Sequence, residues 1–310
     1  MPQVRRPVRG GANGGAGGWV RWVRPKQGEG IGYYCRVNGQ VTKLVADGVS
    51  GSSWPAVWAL SQREWVRFVR QRNRVVGALG TPVVFWLALG SGLGRSFAPP
   101  GSESIHYLEY FFPGVVLMIL LFTAIFSTYT VIEDRREGFL QGVLAAPVGR
   151  WAIVLGKVLG GATIATVQGW LFLLAWPLVG PWPGVAAMAG AAGMVACVAL
   201  GLTALGLCVA WPMESTAGFH AVMNLFLMPM WLLSGAAFPV SGAAGWMQSV
   251  MWCNPLTYAY AAMSALLHGR EQAVGVPVPA WLAASVWGLV TVMLVALASG
   301  IVAQRRKDGT

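Results

Sequence analysis

The feature that most limits what this chain can fold into is a series of long apolar runs. At least five stretches approach or exceed the roughly 18–20 apolar residues that cross a bilayer as a helix. Charge is correspondingly scarce: 11% of the 310 residues are Asp, Glu, Lys or Arg. A soluble domain carries about 25%, so this chain lacks the charge to cover a water-facing surface of its size. The sequence therefore predicts an all-α integral membrane protein with six transmembrane helices. The spans are expected at about 75–94, 110–132, 151–176, 185–211, 217–240 and 280–303. Residues 245–267 are also apolar but are broken at Asn254-Pro255. They read as a re-entrant hairpin that dips in before the last span without crossing.

The rest of the chain divides by composition. Residues 1–53 are rich in Gly and Arg, with no apolar run, and read as a flexible cytoplasmic segment. Within it, alternation over residues 32–45 suits a small hairpin. No h-region follows the early arginines, so no signal peptide is expected. Residues 54–74 read as an amphipathic helix. Trp58, Leu60, Trp65, Phe68 and Val69 recur at near-helical spacing among Arg63, Arg67, Arg70, Arg72 and Arg74. Such a helix suits the headgroup boundary of a membrane; a solvated helix whose arginines only set topology is the alternative. Residues 75–305 form the six-span domain, and 306–310 a cytoplasmic tail.

Positive charge sets the expected orientation. Of the 22 Lys and Arg, all but Arg95 and Arg270 fall before the first span, in the loop after the second, or in the tail. Both termini are thus expected in the cytoplasm. The net charge of +11 is accounted for by topology, and no nucleic-acid partner is expected.

Function classes fall away with the missing residues. No Asp, Glu, Lys or Arg stands mid-span, which argues against proton-driven transport. Gln168, Thr203 and Asn224 at depth suit helix-to-helix hydrogen bonds. His106, His220 and His268 lie in separate segments without acidic partners at ligand spacing, and no HExxH or nucleophile elbow is present. Cys35, Cys197, Cys208 and Cys253 form no CxxC pair and read as structural. Gly156-Lys157 resembles the end of a phosphate loop, but Val158 stands where the magnesium-binding Ser or Thr belongs. No catalytic residue, metal site or bound cofactor is expected. Gly156 and Gly160 form a GxxxG of the kind that packs two helices closely.

One cytoplasmic loop is distinctive. After Glu133-Asp134-Arg135-Arg136-Glu137-Gly138, residues Leu140, Val143, Leu144 and Pro147 fall at i, i+3, i+4 and i+7. That spacing predicts a short amphipathic helix within 133–150. A partner-docking element and a plain interfacial loop fit this pattern equally.

These residues resemble the membrane permease subunits of type-2 ABC exporters. Matching positions are Asp134, Arg135, Gly138, Leu140, Leu144, Pro147, Gly156 and Lys157. A second matching run comprises Leu233-Ser234-Gly235, Phe238-Pro239, Gly245-Trp246 and Asn254-Pro255-Leu256-Thr257-Tyr258. The resemblance covers about residues 58–305. Arg136, Gln141, Ala146 and Ala152 depart from the pattern.

The resemblance implies a permease that moves a drug, lipid or polysaccharide and that leaves ATP and Mg to a separate ATPase subunit. It implies a coupling helix whose contact head is Asp134, Arg135, Arg136, Glu137 and Gly138, with Leu140 and Leu144 as anchors. Trp58, Arg63, Trp65, Arg67 and Phe68 would belong to a connecting helix. Asn254, Pro255 and Tyr258 would sit in the outer re-entrant region. A second permease copy would complete the pathway, lined by the second and fifth spans. Pro229 would be a gating kink or, equally, a static one. A non-transporting membrane scaffold and a lipid-modifying enzyme are the alternatives; the second lacks the clustered His, Asp and Glu it needs.

Overall fold

The computed structural model describes residues 22–23, 33–37, 40–44, 53–93, 105–145, 148–270 and 272–304. Two units can be separated, residues 1–52 and 53–310. In the first, β1 (Trp22–Val23), β2 (Tyr33–Val37) and β3 (Gln40–Leu44) form an antiparallel sheet. The alternation at 32–45 is the β2–β3 hairpin, with Tyr33 opposite Leu44 and Val37 opposite Gln40. Gly10 to Gly18 lies outside the described residues.

The second unit is helical. It runs α1 (Trp54–Arg70), α2 (Arg72–Leu93), α3 (Tyr107–Thr128), α4 (Thr130–Arg136), α5 (Phe139–Ala145), α6 (Arg150–Leu173), α7 (Val185–Ala210) and α8 (Thr216–Trp231). Then come α9 (Gly245–Cys253), α10 (Pro255–Leu267), a short hairpin of β4 (Gln272–Ala273) and β5 (Val276–Pro279), and α11 (Ala280–Gln304). Among the described residues, five helical stretches are long and apolar enough to cross a membrane: Tyr107–Arg136, Arg150–Leu178, Val185–Ala210, Thr216–Ala236 and Ala280–Ala303. The expected first span corresponds to α2, whose apolar part, Val76–Gly92, is shorter.

Burial is uneven. Helix α3 is enclosed almost completely, its aromatic residues Tyr110, Phe111 and Phe112 having no exposed surface. It is the axis against which α2, α6 and α7 pack. By contrast α8 and α11 keep exposed apolar faces, including Leu225, Phe226, Val292 and Met293. On a membrane helix such faces meet lipid or another helix, as hydrocarbon is no less apolar than leucine.

Three boundaries differ from the sequence expectation. The helix expected over 54–74 ends at Arg70: Gln71 leaves helical geometry (φ −101°, ψ 73°), and Arg72 and Arg74 open α2. Lys157, counted for charge with the loop after the second span, lies inside α6. The 133–150 element is two pieces. Glu133–Arg136 finishes α4, Gly138 turns the chain at φ +77°, and α5 follows. Only glycine reaches that φ without strain.

The Leu233-Ser234-Gly235 run is a kink. Helical hydrogen bonding continues past Pro229, with Leu232 N donating to Met228 O and Pro229 O. The departure comes at Leu233 and at Gly235, where φ is +89°. Tyr110 Oη donates to Gly235 O at 2.6 Å, Tyr107 Oη to Ala237 O at 3.2 Å, and Trp231 Nε1 to Gly114 O at 2.8 Å. The kink is thereby stitched to α3.

After it, α9 and α10 meet at Asn254. The Asn254 side chain accepts from Leu256 N at 3.0 Å, capping α10, and its Nδ2 donates to Met230 O at 2.5 Å. Pro255 occupies the first turn of α10, where its missing N–H costs nothing. Tyr258 Oη donates to Trp252 O at 3.1 Å, tying α10 back to α9. Neither α9 nor α10, at 9 and 13 residues, is long enough to cross a bilayer.

Candidate functional site

The buried face of α1 carries Val57, Leu60, Glu64 and Phe68, at helical spacing. That stripe rests on α6, where Gly156 and Gly160 remove the side chains that would hold it off. A Cβ at Gly156 would lie 2.7 Å from Leu60 Cβ, and one at Gly160 3.0 Å from Glu64 Cβ. Ser61 Oγ donates to Gly156 O at 3.0 Å, and Trp65 Nε1 to Thr163 Oγ1 at 2.8 Å. The GxxxG is therefore the seat of α1.

Close seating forces buried charge together. Glu64 (3% exposed), Asp134 (0%) and Lys157 (6%) are all enclosed. The Lys157 ammonium bridges the carboxylates of Glu64 and Asp134. Arg63 meets Asp134 with two bonds, Nη1 to Oδ2 at 2.9 Å and Nη2 to Oδ1 at 2.7 Å. Arg67 reaches Asp134 Oδ1 at 2.9 Å and Glu133 Oε2 at 2.7 Å. Thr130 Oγ1 donates to Glu64 Oε2 at 3.1 Å. Three cations thus face three carboxylates, as burial requires, since an unpaired buried charge costs several kcal/mol or more. The hydrogen bond to Asp134 raises the Arg63 guanidinium above even its ordinary pKa.

The same segment is held from its other side. Arg135 Nη2 donates to Trp211 O at 2.5 Å and Nη1 to Met213 O at 3.2 Å, and Arg136 Nε donates to Glu214 O at 3.0 Å. Arg63 also stacks over the Phe139 ring at 3.7 Å. Helix α4 is therefore clamped between α1 and the α7–α8 connection, and α5 hangs from it with Leu140 buried and Leu144 exposed.

The expected head residues separate by this geometry. Asp134 is turned inward and has no surface to offer a partner. Arg136 and Glu137 are exposed, and Gly138 is the turn. Pro147 lies outside the described residues. On α1, Arg63, Arg67 and Phe68 face inward, whereas Trp58 is 72% exposed. Arg63, Arg67, Arg70, Gln62 and Glu137 line an open groove of about 550 Å³. Asn254, Pro255 and Tyr258 sit in a separate region, with the α8 kink. Sequence reasoning missed Glu64 and Lys157 as members of the cluster. Glu64 carries a signal, being the one acid of residues 54–74 and standing on the apolar stripe. Among the described residues no group of His, Cys, Asp and Glu is placed to hold a metal.

The family described as ABC-2 type transporter matches residues 55–268. The chain is 26% identical over 164 residues to the probable multidrug ABC transporter permease YbhR of Escherichia coli, covering 51% of this chain and 43% of that protein. The match thus spans less than half the length of that relative. Nodulation protein J of Rhizobium meliloti is 25% identical over 222 residues, 71% of this chain and 83% of the relative. The daunorubicin resistance ABC transporter permease protein DrrB1 of Streptomyces coeruleorubidus is 23% identical over 242 residues, 75% and 83%.

Proposed function

Since this chain belongs to the ABC-2 type transporter family, a family of membrane permeases and not of enzymes, we propose that it is the membrane-spanning subunit of an ATP-driven exporter. ATP and Mg are handled by a separate ATPase chain. Two permease copies assemble, and the substrate leaves the cytoplasm or the inner leaflet between them. The related names mention multidrug and daunorubicin resistance. Together with uncharged span centres, they favour an apolar compound or lipid over a charged solute.

The observation that carries this reading is the clamp of α1 onto α4. Helix α1 and the α4–α5 turn share buried ion pairs, so a push on either moves both as one body. In this reading Arg136, Glu137 and the groove beside Arg67 and Arg70 receive the ATPase. Asp134, Glu64 and Lys157 transmit the push without touching it. Helix α2 is the first of six spans, α1 lies along the inner headgroup boundary with Trp58 in the lipid, and both termini are cytoplasmic. The α9–α10 pair is a re-entrant cap at the outer face.

The test is affinity purification of the tagged chain from native membranes in mild detergent. A phosphate-loop ATPase is expected with the unaltered chain and strongly reduced with Arg136→Ala plus Glu137→Ala. Absence of any such ATPase under mild conditions defeats the proposal and moves a scaffold role forward. Cysteines introduced at Arg270 and Lys307 should label with an impermeant maleimide from opposite faces, the first from outside.

A further inference from the structure

A cavity of about 260 Å³ opens behind the α4–α5 turn, bounded by α5, the start of α6 and the ends of α7 and α11. Its walls are of two kinds. Leu140, Leu144 and Val302 are apolar, while Arg135, Arg150 and Trp211 bring N–H donors. We infer that this cavity binds an anionic phospholipid, its phosphate on Arg150 and Arg135 and part of an acyl chain along Leu140, Leu144 and Val302.

Arg150 is held in place by neutral groups. Arg150 Nη1 donates to Val302 O at 3.0 Å and Ala303 O at 3.3 Å, at the end of α11. These carbonyls orient the guanidinium without cancelling its charge, and Arg150 meets no carboxylate among the described residues. Arg135 donates to Trp211 O and Met213 O and lies 5.4 Å from the centre of the Trp211 ring. The indole N–H of Trp211 is buried without an acceptor among the described residues. A phosphate oxygen is the acceptor such donors suit, and a guanidinium takes phosphate with paired bonds. The sequence adds Arg305, Arg306 and Lys307 directly after α11.

Each half of the cavity excludes a simpler ligand. A soluble anion gains nothing from the leucine walls, and a neutral acyl chain gains nothing from fixed guanidinium groups. An amphiphile with a negative head uses both, and cations at the inner face of a membrane meet such lipids. Because α5, which follows the Gly138 turn, forms one wall, an occupying lipid buttresses that turn beside Arg136 and Glu137, the residues assigned above to the ATPase contact. This deepens the proposed function and rests on it for the side of the membrane, though lipid binding itself does not.

The experiment uses the purified full chain in mixed micelles, with bound lipid counted by native mass spectrometry. The probes are dioleoylphosphatidylglycerol, dioleoylphosphatidylcholine and inorganic phosphate. The anionic lipid should bind at least about fivefold more tightly than the zwitterionic one, the ratio that about 1 kcal/mol per charge near an anionic surface converts to. In Arg150→Gln that preference should collapse, with phosphatidylcholine binding unchanged as evidence of folding, and Arg150→Lys should keep much of it. Neutralising Arg305, Arg306 and Lys307 together should leave it in place. Equal binding of both lipids, a preference that survives Arg150→Gln, loss of the preference in the tail variant alone, or displacement of the lipid by inorganic phosphate would each overturn the site. No ATPase is needed for any arm, so failure here and failure to recover an ATPase are separate outcomes.

Discussion

Arg63 and Asp134 stand 71 positions apart in sequence and meet as a two-pronged ion pair, at 2.7 and 2.9 Å. Asp134 is also shared with Arg67 and Lys157. Asp134→Ala therefore leaves three cations without their common anion, one of them, Lys157, buried. Breaking a buried pair from one side costs about 3–5 kcal/mol. Thermal unfolding in detergent should show that loss. Arg63→Lys, which keeps the charge but not the fork, should cost much less. Replacing Glu64, Asp134 and Lys157 together with Gln, Leu and Met should recover most of the stability. If the single and triple variants unfold alike, the network is not what holds α1 to α4.

The seat of α1 makes a second prediction. At Gly156 an added methyl would lie 2.7 Å from Leu60 Cβ and 3.2 Å from Val57 O, so α1 must move outward. Overpacking of this kind costs about 1–3 kcal/mol. Gly156→Val should lower the unfolding temperature and reduce co-purification of the ATPase. Gly193→Ala is the control, because nothing stands within 4 Å of a Cβ there and helix propensity should gain slightly. Equal effects at both positions would mean the GxxxG is incidental.

How much of this was legible beforehand follows from what each signal encodes. The apolar runs declare the long helices because bilayer thickness fixes their length. The i, i+3, i+4 spacing after Gly138 declares α5 for the same local reason. The apolar residues of 54–74, which read as a single membrane-facing set, divide in the structure: Trp58 and Val69 are exposed, whereas Leu60 and Phe68 are buried against protein, and residue type does not separate the two faces. The inward turn of Asp134 was hidden because Arg63, Arg67 and Lys157 come from distant helices. Tertiary charge pairing has no period in sequence. Lys157 appeared to end a loop because a lone cation beside a membrane is normally topological, and only the opposing Glu64 shows that it is enclosed.

The kink at Gly235 is left-handed at φ +89°, and an added methyl would lie 2.9 Å from Val276 Cγ2. Gly235→Ala combines backbone strain with that clash. The strain alone is worth about 1–3 kcal/mol. Unfolding should show at least this loss. Ala237→Gly, beside it in ordinary geometry, should show less than about 1 kcal/mol. A Gly235→Ala chain as stable as the parent would mean the kink is a flexible joint.

His268, just past α10, ties pH to stability. Its Nδ1 lies 2.7 Å from Ser264 O, so the proton on that nitrogen is donated to the carbonyl. Its Nε2 is buried, with Glu109 Oε1 3.7 Å away and the Trp176 ring packed edge-on against it. Burial lowers the His268 pKa below its ordinary value, and the positive field of Arg270 acts in the same direction. A base whose folded pKa is lowered is held neutral by folding, and protonation favours the unfolded chain. Its contribution to stability is thus full above about pH 6.5, the unfolded value. It is lost as pH falls from there through the lowered folded value. Unfolding temperatures measured between pH 8 and pH 5 should drop for the parent, and His268→Gln should flatten that slope. A parent whose stability rises on acidification would show instead that protonated His268 is stabilised by Glu109, reversing the sign.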